Sequence, residues 1–398
     1  MTMKTSLGFW GWLGLGVAVA GFGCSAKVVD LGGAGNSTRP VYATTTPPLD
    51  AGGGTATSFR IVDGEQLQCA TYIEPIDMFT VSSGRLYWIS EQMHGDTYDL
   101  QLKNCSVDGC ASSFVNSSTF EGQNGCGSLG GYIQVEGNTI FWNTDDALYT
   151  QIWTTSTAPG AKVGALGLPS RLQGSFQISD GVAYATTNES TIMRCDIANC
   201  GGTAQRMAMT APAGEAPYSG QGVIFGQDSS MLYVFDSPRI LRVAKNVNAV
   251  FEVLGQLSNV RRGSMVVHGD MIYWAEEVAL GRVMACPTSD CGAPITLVSG
   301  LNYPTAVAID DDSLYVVEPT YSHLSDDPYR SGARVLKCPA TGCDNPAVLY
   351  ETASERLGRD LVVDDHLVYF RGNDCTAADQ DPNGGWWNGC GFIAAIPK

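Results

Sequence analysis

The run Asp379-Gln380-Asp381-Pro382-Asn383-Gly384 places three oxygen-bearing side chains at alternate positions ahead of a glycine. This is the front half of an EF-hand-like loop, with hard oxygens for Ca²⁺ and a residue that permits the tight turn. The twelfth position, where a bidentate Glu would complete the ligand set, is Cys390. Asp379, Asp381 and Asn383 are therefore a calcium candidate set against the simpler reading of an Asp/Asn/Gly turn. Just beyond lie Trp386 and Trp387, which would expose much apolar area if they had no partner. Tyr321, Asp326, Asp327, Tyr329 and Asp374 complete an acidic and aromatic set suited to a glycan or a basic peptide. The plainer reading is solvated loops with a few locally packed aromatics. For acid–base chemistry the chain offers His94 and His323, with Glu91, Glu318 and Asp327 as nearby acids. It contains no G-x-S-x-G, H-E-x-x-H, P-loop or dinucleotide fingerprint.

A second chemistry is written four times as Cys-x4-Cys: Cys105/Cys110, Cys195/Cys200, Cys286/Cys291 and Cys338/Cys343. Each follows a short β-like run, so each pair is expected to staple the end of one strand to the start of the next across a hairpin. Zinc is the rival reading, but one pair per repeat with a hairpin spacer favours disulfides and an oxidising compartment. Cys375 and Cys390 flank one long connection and form a fifth expected bridge. Cys69 and Cys126 remain and pair by exclusion.

The elements that must position these residues recur. A short apolar run is followed by a turn of Asp, Gly, Asn or Ser. A strand carrying Tyr, Phe or Trp comes next, and then two further strands. Taking the aromatic as marker gives seven copies, at Tyr87, Phe141, Tyr184, Tyr233, Tyr273, Tyr315 and Tyr369. The clearest units read Ser264–His268, Met271–Ala275, Gly281–Cys286, Ile295–Val298 and Thr305–Asp310, Ser313–Glu318, Ala333–Cys338, Pro346–Tyr350. The last unit has only three strands, Asp360–Val363, Leu367–Arg371 and Phe392–Ile396. The missing fourth is assigned to Gln66–Ala70 at the N-terminal side, which would close a ring and leave no open edge. The expected fold is all-β: a seven-bladed β-propeller of four-stranded antiparallel blades closed by an N-terminal outer strand. Runs such as VVHGDMIYW and AVAIDDDSLYV resemble the extracytoplasmic propellers with NHL-type and YWTD-type repeats. The resemblance covers residues 65–398, contains no exact YWTD box, and implies a fold more than a function.

Parity of a four-stranded meander puts the loops between second and third strands, and those joining successive blades, on one face. The long ones are expected at Gly372–Gly389, Glu318–Gly332 and Glu91–Asp96, on three contiguous blades, and that face is the candidate site. Acids or amides three or four residues after the marker aromatic (Glu91, Asp145, Asn188, Asp236, Glu276 or Glu277, and Glu318) would ring it. Such a ring would attract cations or a basic partner, or would simply reflect polar strand ends meeting water.

The chain has 398 residues, a net charge of −17 and 47 glycines, the composition of a turn-rich β protein. That charge excludes nucleic acid and electrostatic binding to an anionic membrane. Residues 1–23 read as a signal peptide with an apolar run ending at Cys24, where a bacterial lipoprotein carries its lipid. Cleavage after Ala20 is the rival, but lipidated Cys24 leaves an even number of the 13 cysteines for pairing. Residues 24–64 are then the lipidated cysteine and a flexible linker. The expected protein is a monomeric outer-membrane lipoprotein, periplasmic or surface-exposed, that binds an envelope protein or glycan. A secreted form, an envelope lyase or hydrolase, and a structural component are the alternatives.

Overall fold

The computed structural model describes residues 59–65, 79–94, 97–107, 115–122, 132–137, 139–143, 148–152, 162–165, 172–187, 191–207, 209–220, 222–260, 264–320, 332–353, 355–373 and 391–398. The chain is an all-β propeller of four-stranded antiparallel blades. Among the described residues there are seven four-stranded sheets. Sheet I holds β2 (Phe79–Ser82), β3 (Arg85–His94), β4 (Thr97–Ser106) and β5 (Val115–Gly122); sheet II holds β6 (Ile133–Glu136), β7 (Thr139–Asn143), β8 (Leu148–Ile152) and β9 (Lys162–Ala165). Sheet III holds β10 (Leu172–Ser179), β11 (Val182–Thr187), β12 (Thr191–Asp196) and β13 (Gln205–Met207); sheet IV holds β14 (Val223–Gln227), β15 (Met231–Asp236), β16 (Arg239–Ala244) and β17 (Phe251–Gln256). Sheet V holds β18 (Met265–His268), β19 (Met271–Ala275), β20 (Gly281–Pro287) and β21 (Ile295–Leu301); sheet VI holds β22 (Ala306–Ile309), β23 (Ser313–Pro319), β24 (Ala333–Pro339) and β25 (Ala347–Thr352). Sheet VII joins β26 (Arg356–Val363), β27 (Leu367–Asn373) and β28 (Gly391–Pro397) to β1 (Phe59–Glu65) from the other end of the chain.

The strands follow from composition. Second strands such as SLYVVEP are apolar on both faces because a sheet lies on either side, and every residue of β23 is buried. The marker aromatics are buried in all seven sheets: Tyr87, Phe141, Tyr184, Tyr233, Tyr273, Tyr315 and Tyr369. Six of them belong to apolar clusters that join their own sheet to the next. Phe141 packs with Phe176 and Ile178 of sheet III. Tyr184 packs with Ile224 and Leu232, Tyr233 with Ile272 and Trp274, and Tyr273 with Val307 and Leu314. Tyr315 packs with Val368 and Phe370, and Tyr369 of sheet VII packs with Phe79 and Trp88 of sheet I. First strands touch in sequence, β2 to β6, β6 to β10 and onward through β14, β18, β22 and β26, and β26 also touches β2.

The first hairpins carry a second repeated device. Asp228, Asp310 and Asp364 each accept backbone N–H bonds within the turn: from Ser230 and Met231, from Asp312 and Ser313, and from His366 and Leu367. Each also accepts the hydroxyl of the marker tyrosine five residues on: Tyr233 at 2.6 Å, Tyr315 at 3.2 Å and Tyr369 at 2.6 Å. An Asx turn and a core anchor thus share one carboxylate. Burial pushes these three carboxyls up, but the hydrogen bonds outweigh it, with Lys398 adding to the effect at Asp310, and all three sit below the ordinary aspartate value. Burial first, then the neighbouring aspartate, pushes Tyr233 and Tyr315 up to about 12.

The cysteine staples act between sheets as well as within one. Cys195–Cys200, Cys286–Cys291 and Cys338–Cys343 are bonded, with Cα separations of 4.8, 5.1 and 5.7 Å. Cys105 is also disulfide-bonded. In the fourth strands the register skips Leu254 and Leu297, which form bulges. The second cysteine of the next sheet donates to each bulge carbonyl: Cys291 N–H to Leu254 O at 3.0 Å and Cys343 N–H to Leu297 O at 2.9 Å. Gly255 leaves room for this approach, since a Cβ there would lie 2.9 Å from Cys291 Cβ.

Two expectations are corrected. The strand paired with β28 is Phe59–Glu65, not Gln66–Ala70, so a strand lies inside the stretch read as linker. Arg60, Asp63 and Gly64 mask this strand in the sequence; Ile61 becomes a core residue only beside β28, where it is 4% exposed. Glu91–His94, expected in a loop, is strand: β3 and β4 pair through Glu91↔Leu100 to His94↔Thr97. Among the described residues β2 pairs with β3 from Ser82↔Arg85 to Phe79↔Trp88.

The depressed aspartates give a pH prediction. Their folded pKa lies below the unfolded value, so their stabilisation is complete above about pH 5 and fades as pH falls through about 4 and below. Asp364→Asn should lower the melting temperature at neutral pH and flatten its decline between about pH 5 and 3. A variant whose acid decline parallels the parent's contradicts this role for the Asp364–Tyr369 pair.

Candidate functional site

The candidate face carries the second-to-third-strand connections and the inter-sheet connections. Its scaffold is a set of buried latches built by the polar residues that end the second strands. In sheet II, Asn143 Oδ1 accepts the N–H of Tyr132 at 3.0 Å. In sheet IV, both oxygens of Asp236 accept the N–H of Ser219 at 3.3 Å, and the Ser219 hydroxyl also donates to Asp236. In sheet VI, Glu318 Oε1 accepts the N–H of Asn302 at 2.7 Å. In each case a second-strand end holds the connection entering its own sheet.

Arginines complete the latches. Arg239 pairs with Asp236 and donates to the carbonyls of Ala216 and Pro217 at 2.6 and 2.8 Å. Arg282 grips Glu276 through Nε at 2.7 Å and Nη2 at 3.0 Å. Arg334 Nε meets Glu318 Oε2 at 3.0 Å. Arg371 Nε lies 2.5 Å from Asp360 Oδ2 in sheet VII, with both side chains buried. The Glu276 pair raises Arg282 above its ordinary value, by hydrogen bond first and by charge second.

These contacts correct the reading of the acids as a solvent-facing negative ring. Asp236, Glu276, Glu277 and Glu318 are all buried. Three of the four carboxylates are neutralised by arginine, which is what burial requires of a charge. The N–H of Glu277 donates to Asn259 O at 3.0 Å and ties down another inter-sheet connection. In sheet II the holding residue is Asn143, two residues after Phe141; Asp145 and Asn188 lie outside the described residues. The missed signal was an arginine at the start of the third strand, across the hairpin from each acid.

Of the catalytic candidates, Glu318 has both carboxylate oxygens engaged, by Asn302 and by Arg334. The backbones of Glu91 and His94 lie in β3. His323 falls outside the described residues, as do Tyr321, Asp326, Asp327, Tyr329, Asp374, Trp386, Trp387, the calcium set Asp379, Asp381 and Asn383, and Cys24, Cys69, Cys110, Cys126, Cys375 and Cys390. Their roots are described. Sheet VI pairs to its last rung, Pro319↔Ala333, and sheet VII to Asn373↔Gly391, so connections 320–332 and 374–390 leave neighbouring sheets on this face. His268 and His366 belong to first hairpins on the opposite face, and His268 Nε2 lies 2.9 Å from Asp311 Oδ1 of the next sheet. Among the described residues, no three His, Cys, Asp or Glu side chains converge as a metal site, and no helix is long and apolar enough to cross a membrane.

The latches yield a stability prediction. Asp236→Ala leaves Arg239 buried without its counter-charge and frees the connection at Ser219, so unfolding should be easier by about 3–5 kcal/mol. Chemical denaturation measures this, and an unchanged midpoint would show that Asp236 is not a latch.

No family model matches the chain, and no curated protein matches it in sequence. Its shape has relatives among solved structures. A chain of the mitotic checkpoint complex is 8% identical, with 92% of this chain and 99% of that one covered and a TM-score of 0.51. BamB from Moraxella catarrhalis is 16% identical over 86% of this chain and 99% of its own, at a TM-score of 0.42. Virginiamycin B lyase from Staphylococcus aureus is 10% identical over 83% and 97%, at 0.48. At such identities the likeness to the checkpoint chain is one of fold: what this chain shares with it is the propeller.

Proposed function

We propose that this chain is a cell-envelope lipoprotein whose sheets close as a seven-bladed, disulfide-stapled ring and whose latched face binds a protein or glycan. One observation carries the reading. Two adjacent sheets, each paired to its last rung, release their longest second-to-third-strand connections on one face. Long connections held on a rigid scaffold are where binding residues concentrate. These two carry Tyr321, Asp326, Asp327, Tyr329, Asp374, Trp386 and Trp387. The β3–β4 hairpin of sheet I opens on the same side, and β2 touches β26.

The location rests on chemistry. Disulfides persist in oxidising compartments, and three are formed between cysteines five residues apart. Cys24 is the proposed lipid site, and residues 25–58 are the tether. Asp379, Asp381 and Asn383 are the proposed calcium ligands within connection 374–390. A lyase or hydrolase has less support, because Glu318 is committed to a latch.

The test is a pull-down with the mature domain against envelope proteins and glycans, run with calcium and with chelator. Trp386→Ala/Trp387→Ala should reduce capture by about tenfold or more, chelation should weaken it, and Cys24→Ala should move the full chain from the membrane to the soluble fraction. Equal capture by the parent and the double variant rejects the face. Indifference to chelator rejects the metal, and unchanged partitioning rejects the anchor.

A further inference from the structure

Sheet VII takes three strands from one end of the chain and β1 from the other. The direction of β1 decides how a pull on that end reaches the ring. The first hairpin of this sheet, between Val363 and Val368, lies at the stapled end with the cysteine hairpins; the last rung of its second hairpin, Asn373↔Gly391, lies at the latched face. Against β28, Phe59 pairs with Ala395 and Glu65 with Gly391. The chain therefore enters β1 at the stapled end and leaves it at the latched end. A pull on the segment before Phe59, directed away from the stapled end, runs along the axis of β1. If the latched face is held, β28 is held at Gly391 while β1 is drawn the other way at Phe59. The hydrogen bonds between antiparallel strands lie perpendicular to them, so this load is a shear that all rungs resist together. A pull that separates Phe59 from Lys398 starts instead at one end of the ladder and opens it rung by rung.

The side chains of β1 suit the first direction. Its ladder is interrupted by register shifts between Arg60 and Val62 and between Val62 and Glu65, so backbone pairing alone holds it loosely. Ile61, at the first of these shifts, is buried in one cluster with Phe79, Leu86 and Trp88 of sheet I and Tyr369, Ile393 and Ala395 of sheet VII. One side chain thus keys the strand into the seam between two sheets. Sliding β1 along its axis draws Ile61 out of that apolar seam in the same step that breaks the rungs. The strands of the other sheets run between the same two faces, so a load applied across the faces is carried along strands throughout.

We propose that the ring is a tension-bearing link: load between the segment before Phe59 and a partner on the latched face is carried by β1 in shear, with Ile61 as the key against sliding. This rests on the reading of Cys24 as the anchor and of the latched face as the binding face. It adds that the two attachments pull on opposite ends of the closing strand pair. Its test needs neither lipid nor partner, so its failure is separate from a failed partition or pull-down.

The test is single-molecule force spectroscopy on the full chain. One azide-bearing residue replaces Cys24. A second replaces Ala279, exposed on the latched face, or is appended after Lys398 at the stapled end. Forced opening is governed by the unfolding rate, so the two pulls read two barriers of one protein. At equal loading rate the first rupture is expected at about twice the force or more for the 24–279 pair than for the 24–398 pair. Ile61→Ala should bring the 24–279 force down toward the 24–398 value. Equal forces in the two directions, or a higher force for the 24–398 pair, overturn the proposal. So does a 24–279 force that Ile61→Ala leaves unchanged. If that variant does not fold, the comparison of directions in the parent decides.

Discussion

A four-stranded antiparallel sheet with two apolar faces is not stable in water by itself, and everything else in this protein follows from how both faces are covered. The marker aromatics of sheets II to VI pack toward the following sheet, and Tyr369 of sheet VII packs against Phe79 and Trp88 of sheet I. The hydrophobic stabilisation therefore lies in the seams between sheets more than within any one sheet. That constraint explains why the described side chains of the second strands are mostly buried and why polar residues collect at the two ends of the sheets.

Each end solves a different problem. At the stapled end the cysteine hairpins donate backbone hydrogen bonds to the fourth-strand bulges at Leu254 and Leu297 of the preceding sheet. The disulfides thus hold the geometry of inter-sheet contacts as well as closing small loops, whose entropic benefit alone is modest. At the latched end the inter-sheet connections are tied by buried carboxylates and an amide, with arginine as the counter-charge. A charged pair buried this way adds little net stability but makes the alternatives costly, and so specifies where the connections run. A face fixed in this manner is a platform on which longer connections can be varied.

Much of the fold was legible in the sequence because it is written in periodicity. The units at 264–298 and 305–350 match the observed strands closely, as do the cysteine staples at 195/200, 286/291 and 338/343. What escaped depends on partners that a linear reading does not display. Phe59–Glu65 is a strand only because β28 lies beside it. The polar alternation from Ile89 to Leu102 fits a loop or an exposed hairpin equally well, and register decided for the hairpin. The acids at second-strand ends were visible, but their arginines are three to sixteen residues away across a turn, so the paired, buried state was not. Asp-x4-Tyr, which recurs at 228/233, 310/315 and 364/369, was readable and carries the turn-to-core anchor. The aromatic and acidic connections remain the part known from sequence, and the described structure supplies their roots.

In the proposed ring the sheets close on one another and the last seam depends on β1. Hydrogen exchange measured by mass spectrometry on the full chain and on a variant lacking residues 59–65 tests it most directly. Closure predicts that the deletion raises exchange in β28, in the sheet VII–sheet I seam around Tyr369 and Trp88, and then cooperatively in the other seams. Exchange confined to β28, with the seam at Tyr369 as protected as in the parent, would contradict it.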